Sequence, residues 1–184
     1  MQFARWLAAV CVACPPSVAE VASAPATVVS GDTADLRNVD GVLLLHGAPF
    51  SGVVATDDGT AVTDRTPYLD GLRHGDALGS YRSGTPAWHR YFRNGKREST
   101  HRGWWPNGQL QFERRYRNDL QEGEQLAWYA SGAKFEVRHY TDGREDGQQT
   151  VWAEDGRVVA NYTFKDGRRF GIVGRFDCVN VRTK

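Results

Sequence analysis

Short apolar runs alternate with glycine-bearing corners along this chain, and from residue 68 onward they do so on a fixed beat. Gly84, Gly108, Gly132 and Gly156 stand 24 residues apart, and Gly71, Gly95, Gly143 and Gly167 keep the same period with Asp119 in the vacant place. A third series holds Gly75, Gly123, Gly147 and Gly171, with Ser99 where a glycine is missing. Large rings follow suit: Tyr68, Phe92, Tyr116, Tyr140 and Phe164 form one column, and Trp104, Trp128, Trp152 and Phe176 another. A constant period of this length marks a repeat architecture, in which each unit buries its apolar surface against its neighbours.

Two corners punctuate each repeat. One set is Asp70-Gly71, Asn94-Gly95, Asp142-Gly143 and Asp166-Gly167; the other is Ser83-Gly84, Asn107-Gly108, Ser131-Gly132 and Asp155-Gly156. Such pairs predict two-residue type I′ hairpin loops, which need positive φ at both central residues. Asn118-Asp119 can make the same turn, because both side chains tolerate the left-handed region. From Gly71 the corner glycines alternate 13 and 11 residues apart, leaving strands of about ten residues. The pattern therefore predicts an all-β chain, a continuous antiparallel meander of about five 24-residue hairpin repeats with no helix between them.

Two-residue loops also fix register. They place Trp128 opposite Phe135, Trp152 opposite Val159, and the rings of Trp88 and Phe112 over Gly79 and Gly103. They set His139 against Asp146 and Arg115 against Glu122 as rim ion pairs. The third glycine series reads as a bulge or bend. Residues Val42 to Gly59 leave the beat and read as a capping hairpin. A single hairpin is marginal in water, so the copies must stack.

Composition narrows the function classes. A formal net charge of +1 supplies no field to draw in nucleic acid. Residues 1–19 carry Arg5, an apolar run from Trp6 to Cys14, and Ser17-Val18-Ala19 before Glu20, which reads as an export signal. A second reading ends a lipoprotein signal at Cys14, with Val12-Ala13 before it and membrane association through a lipid anchor on that thiol. Residues 20–40 read as a flexible tether, 41–176 as the repeat domain and 177–184 as a tail outside the pattern. Either signal sends the chain to a periplasmic or envelope-associated location. Only Cys178 lies clear of the processing region, so no internal disulfide is expected.

The motif Tyr/Phe-x-Asn/Asp-Gly-x-x-x-Gly, as in Tyr68-Leu69-Asp70-Gly71 through Gly75 and Tyr140-Thr141-Asp142-Gly143 through Gly147, resembles a MORN repeat. Trp128-Tyr129-Ala130-Ser131-Gly132 is similar to its bacterial variant form, and Ala48-Pro49-Phe50-Ser51-Gly52 to the opening of antitoxin-like members of that branch. The resemblance covers about residues 41–176; Asp119, Ser99 and Ala153 depart from it. It implies an elongated, twisted, single-layer sheet used as a binding surface. Its antitoxin label implies a protein partner such as a toxin or effector.

Candidate chemistry is sparse. His46, His74, His89, His101 and His139 are scattered without ligand spacing or paired cysteines, so no metal site is expected. No glycine opens a helix to cradle phosphate, and no strand–serine–helix elbow exists, so neither a cofactor nor catalysis is expected. Arg90, Arg114 and Arg138 recur every 24 residues beside aromatic columns. They read either as a solvated face or as a stripe for an acidic protein or lipid headgroup. With Trp105 and Tyr129 they form the candidate partner-binding surface. The function expected is that of an exported, non-catalytic binding protein, in its sharpest form an immunity protein that neutralises a toxin. The alternative is an envelope-associated structural module that binds lipid or cell wall.

Overall fold

The computed structural model describes residues 27–57 and 62–172. The export signal, Cys14 and the 177–184 tail lie outside these residues. The first strands are β1 (Val28–Ser30), β2 (Leu36–Val39), β3 (Val42–Leu45), β4 (Ala48–Pro49), β5 (Gly52–Asp57) and β6 (Val62–Leu69). The repeats follow as β7 (Leu72–Arg73), β8 (Gly75–Tyr81), β9 (Pro86–Arg93), β10 (Lys96–Trp104), β11 (Leu110–Arg117) and β12 (Leu120–Gln121). They end with β13 (Gly123–Trp128), β14 (Lys134–Thr141), β15 (Arg144–Glu145), β16 (Gly147–Trp152), β17 (Val158–Lys165) and β18 (Arg168–Ile172).

The chain is all-β. One open sheet runs β1-β5-β6-β8-β9-β10-β11-β13-β14-β16-β17-β18, antiparallel between sequential neighbours. A small sheet, β2-β3-β4, precedes it. Two features depart from a plain meander. β1 pairs parallel with β5, and β2 pairs with β3, so residues 28–39 of the expected tether are built into the fold. The reason is apolar: Val29 and Leu36 pack with Leu45 and Tyr68 on the buried cluster Leu43, Phe50 and Val54. The cap is stitched to the repeats where the Leu43 N–H donates to the Gly71 carbonyl and the Gly71 N–H to that of Phe50.

The two corner sets differ. Asp70-Gly71, Asn94-Gly95, Asn118-Asp119, Asp142-Gly143 and Asp166-Gly167 all hold positive φ at both residues, as type I′ turns require. In the other set only the glycine is left-handed. There the Gly108 N–H donates to the Trp105 carbonyl and the Trp105 N–H to that of Gln109, a three-residue type I turn closed by a glycine bulge. At this corner Pro106, whose fixed negative φ suits the second position of a type I turn, excludes type I′; the corners at Gly84, Gly132 and Gly156 make the same bonds with Arg82, Ala130 and Glu154 in that place.

That extra residue is compensated two positions on. Ala127 pairs with Glu136 but Trp128 with Lys134, and Val151 with Ala160 but Trp152 with Val158. Trp128 therefore does not face Phe135, nor Trp152 face Val159, whereas Trp88 faces Gly79 and Phe112 faces Gly103. Those glycines are required: a Cβ at either would run into the ring opposite. Later repeats trade volume across the same pair, from Gly79 with Trp88 and Gly103 with Phe112 to Ala127 with Glu136 and Val151 with Ala160. As one side chain shrinks, its partner grows, which keeps the face closely packed.

The third series is a bulge, as expected. It cuts β7 from β8, β12 from β13 and β15 from β16, and shifts register between Glu98 and Arg102 in β10. A bulge leaves backbone groups of the opposing strand unpaired. Gln125 closes one, accepting from the Arg115 N–H at 3.0 Å and donating to the Arg115 carbonyl at 3.1 Å. Gln149, wholly buried, does the same for His139 at 3.2 and 2.8 Å. His101 holds the matching place and donates through Nε2 to the Tyr91 carbonyl at 2.9 Å. The rim ion pairs differ from expectation. Glu122 and Asp146 meet Arg115 and His139 only through backbone; Glu122 pairs with Arg117 at 3.2 Å and His139 with Glu124 at 3.6 Å.

Gln149→Leu should destabilise the chain by about 1–3 kcal/mol for the His139 N–H left unpaired, since the His139 carbonyl keeps the Asp146 N–H, against at most about 0.5 kcal/mol for exposed Gln148→Ala, read by urea unfolding. Gly103→Val and Phe112→Ala should each destabilise, while the double variant, which recreates the Val151–Ala160 pairing, should cost less than their sum by about 1 kcal/mol or more in a double-mutant cycle.

Candidate functional site

Strands β9, β10 and β11 place Trp88, Arg90, Phe92, Arg97, His101, Gly103, Phe112, Arg114 and Tyr116 on one face, because paired residues share a face in an antiparallel sheet. On this face lies a hollow of about 360 Å³ lined by Arg73, Arg90, Arg97, Arg114, Phe92, Phe112, Tyr116 and His101. Each guanidinium rests on a ring. Arg73 lies 4.4 Å over Phe92, Arg90 4.4 Å over Trp88, Arg97 4.5 Å over Tyr116 and Arg114 5.4 Å over Phe112. Stacking on a ring fixes the guanidinium plane and leaves its N–H edge available to an anion.

The four cations are unequally neutralised. Asp119 holds Arg97 at 3.1 Å, and Arg97 in turn donates to the Asp119 carbonyl at 2.9 Å. Burial works against the Asp119 charge, but the backbone N–H and guanidinium of Arg97 prevail and keep its pKa below the ordinary value. Glu136 lies 3.7 Å from Arg114 but is held harder by Arg138, at 2.8 Å. No carboxylate ion pair involves Arg73 or Arg90 among the described residues. Burial, chiefly, and the nearby Arg73 charge lower the Arg90 pKa from its ordinary value, while Tyr116 and Asp64 oppose them. The guanidinium stays charged near neutrality, so its environment favours an anion beside it.

His101 forms the floor. It is buried, with Phe92 and Tyr116 at ring distances of 5.5 and 4.7 Å. Burial pushes its pKa down, hydrogen bonds to the Tyr91 and Glu98 carbonyls resist, and Arg90 and Arg97 push further down. It is neutral at physiological pH and adds no cation to the hollow.

A second hollow of about 260 Å³ abuts the first. Phe112 and Arg114 belong to both; Trp105, Trp128, Phe135 and Ala127 supply apolar wall, and Gln111 and Glu136, the latter held by Arg138, complete it. Cationic and apolar pockets are thus adjacent on one face. Of the residues expected to carry binding, Arg90 and Arg114 line the first hollow and Trp105 the second. Arg138 belongs to neither: it bridges Glu136 at 2.8 Å and Glu145 at 2.9 Å. Burial opposes its charge, but Glu136, Tyr162 and Tyr140 raise its pKa. Tyr129 stands edge-on to Phe135 at 5.1 Å and donates its hydroxyl to the Trp152 carbonyl at 3.0 Å. Trp105 likewise donates through Nε1 to the Trp128 carbonyl at 3.0 Å. Both rings therefore join one repeat to the next, which limits them as anchors for a partner.

Arg73 and Arg97 are the residues that sequence reading missed. They stand 24 apart, but the period breaks at Gln121 and Glu145, so the pair did not register as a column. Among the described residues no group of three or more His, Cys, Asp or Glu side chains could hold a metal, and no helix is long and apolar enough to cross a membrane. No protein-family model matches this chain, and no curated protein matches it.

His101 refuses a proton that the unfolded chain would take up near pH 6.5, so stability should fall as pH drops below 6.5 toward the lower folded pKa. His101→Gln, which imports the Gln125 arrangement, should flatten that acid limb in unfolding curves taken as a function of pH.

Proposed function

We propose that this chain is an exported, non-catalytic binding protein of the MORN-repeat type whose sheet face holds another protein. The carrying observation is the set of four guanidiniums, each braced on an aromatic ring, that opens on one face of the sheet. Ring-braced arginines lose little conformational freedom on meeting a carboxylate, and arginine with aromatic neighbours is the usual composition of binding hot spots. The periodic Asp-Gly and Asn-Gly corners support the MORN reading, and residues 1–19 support export. Within this function, neutralising a toxin in the bacterial envelope is the sharpest form: a rigid sheet face would occlude the partner's working surface. No residue is assigned a catalytic role, and no cofactor is invoked.

Tagged mature protein should retain a partner from its native envelope extract, and Arg90→Glu with Arg114→Glu should reduce that capture at least tenfold. Equal capture by wild type and variant would remove this face from the function. Sedimentation with anionic vesicles or peptidoglycan, lost in the same variant while no protein is captured, would favour the envelope-associated alternative instead.

A further inference from the structure

The paired hollows define a ligand more narrowly than "a protein partner", provided that this face serves the proposed binding function. We infer that the face takes an extended acidic segment of the partner, in which two carboxylate side chains two residues apart, and so on one side of the segment, are followed two residues on by one large apolar side chain. The carboxylates enter the hollow of Arg73 and Arg90, and the apolar group enters the hollow of Trp105, Phe112, Trp128 and Phe135.

Three observations carry this. First, charge: Arg97 and Arg114 already have Asp119 and Glu136, whereas Arg73 and Arg90 stack on rings and pair with no carboxylate among the described residues, so two guanidiniums await two anionic groups. Both present forked donors, which match carboxylates better than a point charge would. Second, adjacency: Phe112 and Arg114 belong to both hollows, so one short segment can reach both without a bend. Third, the limits of the site. Beyond β13 the same face is internally balanced, with Arg138 held by Glu136 and Glu145, and Arg169 3.6 Å from Glu145. An acidic segment is therefore drawn to the repeats spanning β8 to β11 and not along the whole sheet.

A bare phosphate would satisfy the first hollow and leave the second empty. An anionic lipid surface would engage the exposed arginines but would not require an apolar side chain at a fixed offset. The peptide is the one occupant that uses both.

The test is fluorescence titration of the mature protein, with Trp88, beneath the Arg90 of the first hollow, and Trp105, in the second, as reporters, using acetylated hexapeptides. One carries glutamates at its second and fourth positions and phenylalanine at its sixth, with glycine and serine between them; the others replace the glutamates by glutamine or the phenylalanine by alanine. We expect saturable binding of the first and at least tenfold weaker binding of each control. Arg73→Gln with Arg90→Gln should weaken the first peptide at least tenfold, while the variant still unfolds cooperatively with only the small loss of stability that the two ring contacts account for. Trp105→Phe, which keeps the ring but not its hydrogen bond, should retain most of the binding. No binding of any peptide overturns the inference. So does equal binding of the glutamate–phenylalanine and glutamate–alanine peptides, inorganic phosphate that competes as well as the peptide, or anionic vesicles that hold the chain through the same arginines. Partner capture that depends on Arg90 and Arg114 alongside failed peptide binding would leave the binding function standing and remove only this account of its ligand.

Discussion

Every repeat contains a place where the backbone ladder is broken, and the fold depends on how that break is closed. The glycine bulge at Gly123 or Gly147 leaves the N–H of the opposing Arg115 or His139 to a side chain, while their carbonyls still accept from the Glu122 and Asp146 N–H groups. Gln125 and Gln149 reach in with an amide that imitates the missing peptide group, accepting from N–H and donating to C=O. A buried amide satisfied at both ends specifies one geometry and penalises every other. The break lets each hairpin bend without leaving buried polar groups unmatched.

The same device sets up the binding face. In the first complete repeats the filler is Ala77 and then His101, both buried, and the surrounding positions hold glycine, aromatic rings and arginine. In later repeats the filler is glutamine, and glutamate enters beside the arginines as Glu136 and Glu145. The scaffold is uniform while its decoration is graded. One end of the face is cationic and ring-lined, the other electrically closed. The arginine column that sequence periodicity draws as a single stripe is therefore two structures, with Arg90 and Arg114 in the hollow and Arg138 bound into an internal network.

Most of the architecture was legible because positive φ and ring size are chemical demands that a sequence cannot hide. Asp142-Gly143 announces its turn, and Gly103 beneath Phe112 announces a close approach. The Ser-Gly, Asn-Gly and Asp-Gly corners of the second set differ from type I′ because glycine is compatible with several turns; Pro106 excludes type I′ at one of them, and the other three carry no such residue. The built-in strands at 28–39 were missed because their apolar residues are few and make sense only against Phe50 and Val54. Glutamine columns look like ordinary strand polarity, so their role as backbone surrogates emerged only from the register. The site was half legible. Arg90 and Arg114 were visible by period, whereas Arg73 and Arg97, though also 24 apart, stand in a column that continues as Gln121 and Glu145 and so does not read as an arginine row.

The stacking of corners has a direction. Tyr81 donates its hydroxyl forward to the Trp104 carbonyl, Trp105 its Nε1–H to that of Trp128, and Tyr129 its hydroxyl to that of Trp152. At the opposite margin the Gly95, Asp119 and Gly143 amides donate backward to Arg73, Arg97 and Gln121. The series of forward-reaching rings ends at Ala153, the corresponding place one period on. A methyl group has no donor to extend, so the relay carries its own terminator. Beyond Trp152 the described strands β17 and β18 are joined through the backbone ladder, so the ring donors brace the corners of a sheet whose continuity rests on its peptide groups.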